Sequence, residues 1–139
     1  MKITTFSEYQ KEANFLKISL DKFLEEHPDT PEDVKLLLAV AYDGLGLGEA
    51  GEVQGKIKKI IRDAGGFITP EHIEEIKKEL GDILWYISSM CDNLGIKMED
   101  VADGNIKKLQ SRRDRGTLHG SGDKDRKSTR LNSSHVSES

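Results

Sequence analysis

Apolar side chains recur along this chain at spacings of three and four. No stretch sustains the period-two alternation of a half-buried strand, so the pattern predicts an all-α protein. The clearest seam is Ile76, Leu80, Ile83, Ile87, Met90 and Leu94, a continuous stripe for packing on other helices. Punctuation residues divide the pattern into four helices, a bundle-like set. Thr5 with Glu8 forms a capping-box pattern and opens a helix from about Phe6 to Glu26. Thr30-Pro31 and Thr69-Pro70 each read as an N-cap followed by proline at the first helical position, where a missing N–H costs nothing. They open helices running to about Ala64, before Gly65-Gly66, and to about Leu94, before Gly95. A fourth helix runs from about Met98 to Arg115 and stops at Gly116.

The second helix carries Gly44, Gly46, Gly48, Gly51 and Gly55. Each interior glycine costs about 0.5–1 kcal/mol relative to alanine. Either the helix kinks near Gly44–Gly48, or the glycines admit a neighbour or a ligand close to the backbone.

At 139 residues the chain suits one domain. Its 33% of charged residues is high, and part of that polarity lies in a tail. Lys127 to Ser139 reads KSTRLNSSHVSES, resembles a translated cloning adaptor and is expected to be disordered, which leaves residues 1–126 as the domain. A net charge of −4 favours neither nucleic acid nor a membrane surface as a partner. The longest apolar run, Leu36 to Tyr42, is far short of a bilayer span. The polar start MKITTFSEYQKE lacks a signal-peptide core, so the expected location is cytoplasmic. A single cysteine, Cys91, excludes an internal disulfide and a cysteine-based zinc site; on the apolar face of its helix it reads as a core thiol.

Two short motifs fail on context. Gly46 to Gly51 matches G-x-G-x-x-G, but QGKIKKIIRDAGG follows, which is helix and cap rather than a second strand. Gly51 to Lys56 is one residue short of a P-loop, and Ile57 stands where a magnesium-binding hydroxyl belongs. The four histidines are scattered without ligand spacing and read as exposed or capping residues.

Two acidic pairs remain. Glu49 and Glu52 are three apart on the second helix, and Glu79 and Asp82 three apart on the third, so each pair shares a helical face. Antiparallel packing of these helices would gather four carboxylates. Such a set repels itself unless a hard divalent cation, Mg²⁺ or Mn²⁺, compensates it. Chance pairs such as Glu71 with Glu74 show that the spacing alone is common. Lys56 and Lys59 lie four and seven positions beyond Glu52, and Tyr86 lies four beyond Asp82. On the fourth helix Asn105, Lys108 and Arg112 form a stripe of donors suited to phosphate oxygens, or a solvated basic face beside Arg113 and Arg115.

The stretches GLGLGEAGEVQGKIKK, KKELGDILWYI and VADGNIKKLQSRRDRG, in that order, resemble the MazG-like nucleoside triphosphate pyrophosphohydrolases of the all-α NTP pyrophosphatase fold. The likeness runs from about Phe6 to Arg126, and 26 residues separate Glu52 from Glu79, within the family's usual range. The resemblance implies Mg²⁺-dependent hydrolysis of a nucleoside or deoxynucleoside triphosphate between the α- and β-phosphates. It implies metal ligation by Glu49, Glu52, Glu79 and Asp82, phosphate or sugar contacts from Lys59, Asn105 and Lys108, and a nucleotide pocket bordered by Tyr86. It also implies homodimers or homotetramers. Many members open the first motif with two adjacent glutamates; Gly48 replaces the first here, which leaves Glu49 or Glu52 to activate water. Phosphoribosyl-ATP pyrophosphohydrolase, from the same helical superfamily, and a non-catalytic helical interaction module are the alternative readings.

Overall fold

A computed structural model describes residues 2–16 and 21–116. The helices are α1 (Phe6–Phe15), α2 (Asp21–Glu26), α3 (Glu32–Gly46), α4 (Ala50–Asp63), α5 (Pro70–Asn93) and α6 (Met98–Asp114), with a 3₁₀ turn at Leu47–Glu49 between α3 and α4. Among the described residues there is no strand, and no helix is long and apolar enough to cross a membrane. The chain divides into two units, residues 1–103 and 104–139; the described part of the second is the end of α6 and its cap. The 127–139 tail lies outside the described residues.

Helix starts follow their caps. The Thr5 hydroxyl accepts from Glu8 N at 3.1 Å while the Glu8 carboxylate accepts from Thr5 N at 3.0 Å, the reciprocal box read from the sequence. Thr69 caps α5 in the same way, with His72 Nδ1 in the acid's place, so His72 is a capping histidine. Thr30 departs from expectation. Its hydroxyl donates to His27 O at 2.7 Å, and Pro31 itself occupies the cap position without a side-chain bond. Helix ends follow their glycines: Gly65, Gly66, Gly95 and Gly116 all have φ between 60° and 83°, the left-handed region that a side chain resists.

Two expected helices are divided. The first ends at Phe15, where Leu16 N bonds back to Glu12 O, and α2 follows as a separate helix. No glycine or proline marks that end. The second is split by the 3₁₀ turn, and its glycines meet both conditions anticipated for them, a tightened turn and a close approach described below.

Within the first unit α5 is the central element, packed against α1, α3, α4 and the 3₁₀ turn. Its seam is only partly covered. Ile76, Ile83, Ile87 and Met90 are half-buried, while Leu80 and Leu94 are exposed. The buried positions of α5 are Ser88, Ser89 and Cys91. Small side chains permit close approach where several helices meet. The Ser88 hydroxyl has no hydrogen-bond partner among the described residues, so its value there is its size. Two polar clamps fix the neighbours. Asp43 of α3, only 3% exposed, accepts from Asn93 Nδ2 at 2.7 Å. Gln10 of α1 donates to Ile96 O at 2.7 Å and accepts from Met98 N at 2.9 Å, which ties α1 to the turn after α5.

Candidate active site

The first acidic pair spans the joint between the 3₁₀ turn and α4. Glu49 closes the turn and is half-buried; Glu52 stands in the first turn of α4 and is exposed. The second pair rides on α5, with Glu79 half-buried and Asp82 exposed. Because α4 and the turn both pack on α5, the two pairs belong to elements in direct contact.

Lys56, one helical turn beyond Glu52, reaches across to α5. Its Nζ lies 3.5 Å from Glu79 Oε1 and 3.8 Å from Glu75 Oε2. These long, partly solvated pairs are weak, and their value is in holding Glu79 toward α4. Lys59 is exposed on the wall of an α4–α5 cleft of about 340 Å³ that Lys56, Ile60, His72 and Glu75 also line.

Tyr86 marks where the pairs meet. Burial is the first cause that pushes its hydroxyl above the usual tyrosine range; Tyr42, Glu49 and Asp82 add to it. One phenol thus feels a carboxylate from each pair. Its ring fits because Gly46 is bare: a Cβ there would stand 2.6 Å from Tyr86 Cγ and closer still to Cδ1 and Cε1. Tyr42, one turn earlier on α3, presents its ring 6.4 Å from that of Tyr86, tilted by 57°. Tyr9 of α1 is half-buried; its hydroxyl is likewise raised, first by burial and then by the Asp82 charge.

Asn105 and Lys108 are exposed and Arg112 is half-buried on the part of α6 that belongs to the second unit, where their spacing gives one stripe. The sequence reading missed Tyr9, Tyr42 and Asp43. Tyr42 closes the apolar run that starts at Leu36, and Asp43 follows it. The available signal was Tyr42 four residues before Gly46, on the same face.

The donor set suits a hard divalent cation in kind, being all carboxylate without sulfur or imidazole. Among the described residues no three acidic, histidine or cysteine side chains are gathered tightly enough to hold an ion. Glu79 is turned toward Lys56.

The model of the MazG nucleotide pyrophosphohydrolase domain matches residues 45–117. This chain belongs to the MazG nucleotide pyrophosphohydrolase family. The matched stretch includes both acidic pairs, Tyr86 and the α6 stripe. A curated relative, the Gene 37 protein of Mycobacterium phage L5, is 44% identical over 92 residues, covering 66% of this chain and 81% of the relative. No solved structure matches. Membership supports nucleotide pyrophosphohydrolase activity as a class, with a nucleotide as substrate and the divalent-metal dependence general in the family.

Proposed function

We propose that the protein is a cytoplasmic, Mg²⁺-dependent hydrolase of nucleoside or deoxynucleoside triphosphates that releases the monophosphate and pyrophosphate. The observation that carries this reading is the packing of the 3₁₀ turn and α4, which bear Glu49 and Glu52, directly on α5, which bears Glu79 and Asp82. In this reading Glu49, Glu52, Glu79 and Asp82 hold the cation. When bound, Mg²⁺ or Mn²⁺ neutralises phosphate oxygens and supplies Lewis-acid charge.

The chain's own residues do the rest. Glu49 or Glu52 accepts the proton of a water molecule whose oxygen attacks phosphorus in line. The bond between phosphorus and the bridging oxygen breaks, and pyrophosphate leaves with the electron pair. Lys59 and Lys108 offset the charge that accumulates on it, while Asn105 and Arg112 orient phosphate or sugar oxygens. Lys56 holds Glu79 in position and would offer a further cationic donor to phosphate.

The same reading makes the working protein a homodimer or homotetramer. Leu37 is 66% and Leu45 81% exposed, and the buried apolar residues among those described are only Ala13, Ile60, Cys91 and Met98. So much uncovered apolar surface calls for a partner. Sedimentation at micromolar concentration should give a multiple of 15.5 kDa, and a monomer would end the oligomer reading.

The deciding experiment is a panel of the standard nucleoside and deoxynucleoside triphosphates with Mg²⁺, scored separately for pyrophosphate and orthophosphate. Pyrophosphate release is expected from at least one. Glu52→Gln and Asp82→Asn should each lower turnover on the order of a hundredfold while the far-UV helix signal persists. Full activity in both variants would refute the site. Silence across the panel would leave phosphoribosyl-ATP pyrophosphohydrolase or a non-catalytic helical module.

A further inference from the structure

All three tyrosines of the chain stand around the acid-bearing region, each from a different helix. Tyr86 sits over Gly46, and Tyr42 borders Tyr86. Tyr9, on α1, which packs on α5, lies near enough for the Asp82 charge to act on its hydroxyl. Tyr9 and Tyr86 are half-buried, while Tyr42 keeps 49% of its surface open.

The position of Tyr42 is fixed from two sides. Its sequence neighbour Asp43 is buried and held by Asn93, which sets the rotation of α3 against the end of α5. One turn later the bare backbone of Gly46 receives the Tyr86 ring, and that ring meets Tyr42 at a tilt. The result is an open aromatic ring, braced from behind, one ring removed from the carboxylates Glu49 and Asp82. A purely solvated tyrosine would not be braced by a buried acid and a glycine notch.

Resting on the pyrophosphohydrolase reading, we infer that Tyr42 is the stacking platform for the nucleobase, with Tyr86 as the brace that sets its angle. The phosphates lie on the carboxylate side, so the nucleoside extends toward the aromatic side. A π-face accepts every base and discriminates little among them. Tyr42 therefore contributes affinity shared by all nucleotides, greater for purines because they overlap the ring more fully. It acts on the nucleoside and not on the phosphates.

The test measures binding rather than turnover first. Calorimetry with Mg²⁺ compares two probes: a non-hydrolysable α,β-imido nucleoside triphosphate, in purine and pyrimidine forms, and inorganic tripolyphosphate, which has no nucleoside. Tyr42→Phe keeps the π-face and should bind both probes as the parent does. Tyr42→Leu keeps apolar contact with Tyr86 but loses the π-face. It should weaken the imido nucleotides about tenfold or more, purine above pyrimidine, and leave tripolyphosphate unchanged. In turnover the same variant should raise KM by that factor and hold kcat. Tyr42→Leu binding the imido nucleotides as tightly as the parent, or losing tripolyphosphate equally, would overturn the platform while leaving the pyrophosphohydrolase reading intact. A parent protein that binds tripolyphosphate but neither imido nucleotide would overturn both.

Discussion

Glu79 and Asp82 ride on an uninterrupted 24-residue helix whose start is fixed by a capping box and whose end is fixed by Gly95. Glu49 and Glu52 straddle a joint: a 3₁₀ turn running directly into α4, with no side-chain cap at either start. The two pairs have the same spacing and opposite mechanical settings. On α5 the carboxylates are positioned by a rod packed on several sides. On the joint they are positioned by a 3₁₀ turn and the start of a helix that both pack on α5, with Tyr86 against Gly46 and the Asp43–Asn93 clamp as the specific contacts. Under the proposed function, a site that draws four like charges together around a cation is better served by one fixed half and one adjustable half. Two rods would have to carry the repulsion at all times.

That comparison is broken most severely at the contact itself. Gly46→Val places methyl groups where the Tyr86 ring lies, and overpacking of this kind costs about 1–3 kcal/mol or more. Thermal unfolding should show the loss. A second change, Tyr86→Ala, should recover part of it, because the two residues share one volume and their effects will not add. Equal losses with or without the tyrosine ring would mean that Gly46 serves backbone conformation and not the ring. Its φ of −61° gives no such need.

The second test removes the clamp. Asp43→Ala costs Asn93 this acceptor inside the protein, a change worth about 1–3 kcal/mol for a buried polar pair. Asp43→Asn retains an acceptor of similar shape and should recover much of that stability in a urea melt. Both variants leave the α5 pair untouched, so any shift in cation affinity would report on the joint.

Much of this division was legible in residue order, and the illegible part has physical causes. Thr5, Thr69, Pro70 and the capping glycines located helix ends because caps are local chemistry, settled within a few residues. The end of α1 at Phe15 carries no such signal. On α5 Cys91 is the core thiol the sequence indicated, but periodicity finds the apolar face and not the point of closest approach, which also takes in Ser88 and Ser89. The acids stood out by spacing and by family likeness. Tyr42 and Asp43 did not, because a polar or aromatic residue closing an apolar run looks like core until its cross-helix partner is known, and Asn93 is fifty residues away. Gly46 was suspected among five glycines, and only Tyr86 singles it out.

The smallest effect separates the glycines from one another. Among the described residues no atom outside the local helix lies within 4 Å of a Cβ placed on Gly51, in contrast to Gly46. Gly51 sits in the first turn of α4 between the two glutamates, so alanine there meets no obstacle and removes backbone freedom from the unfolded chain. Gly51→Ala should therefore raise stability by about 0.5–1 kcal/mol, in the opposite direction to any bulk at Gly46. If the joint works by adjusting, the same variant should stiffen the first acidic pair and slow turnover modestly while the melting temperature rises. A gain in stability with unchanged rate would mean that the flexible half of the site lies upstream, at the 3₁₀ turn. A loss of stability would place this face of α4 against a second subunit, where the missing side chain is room already used.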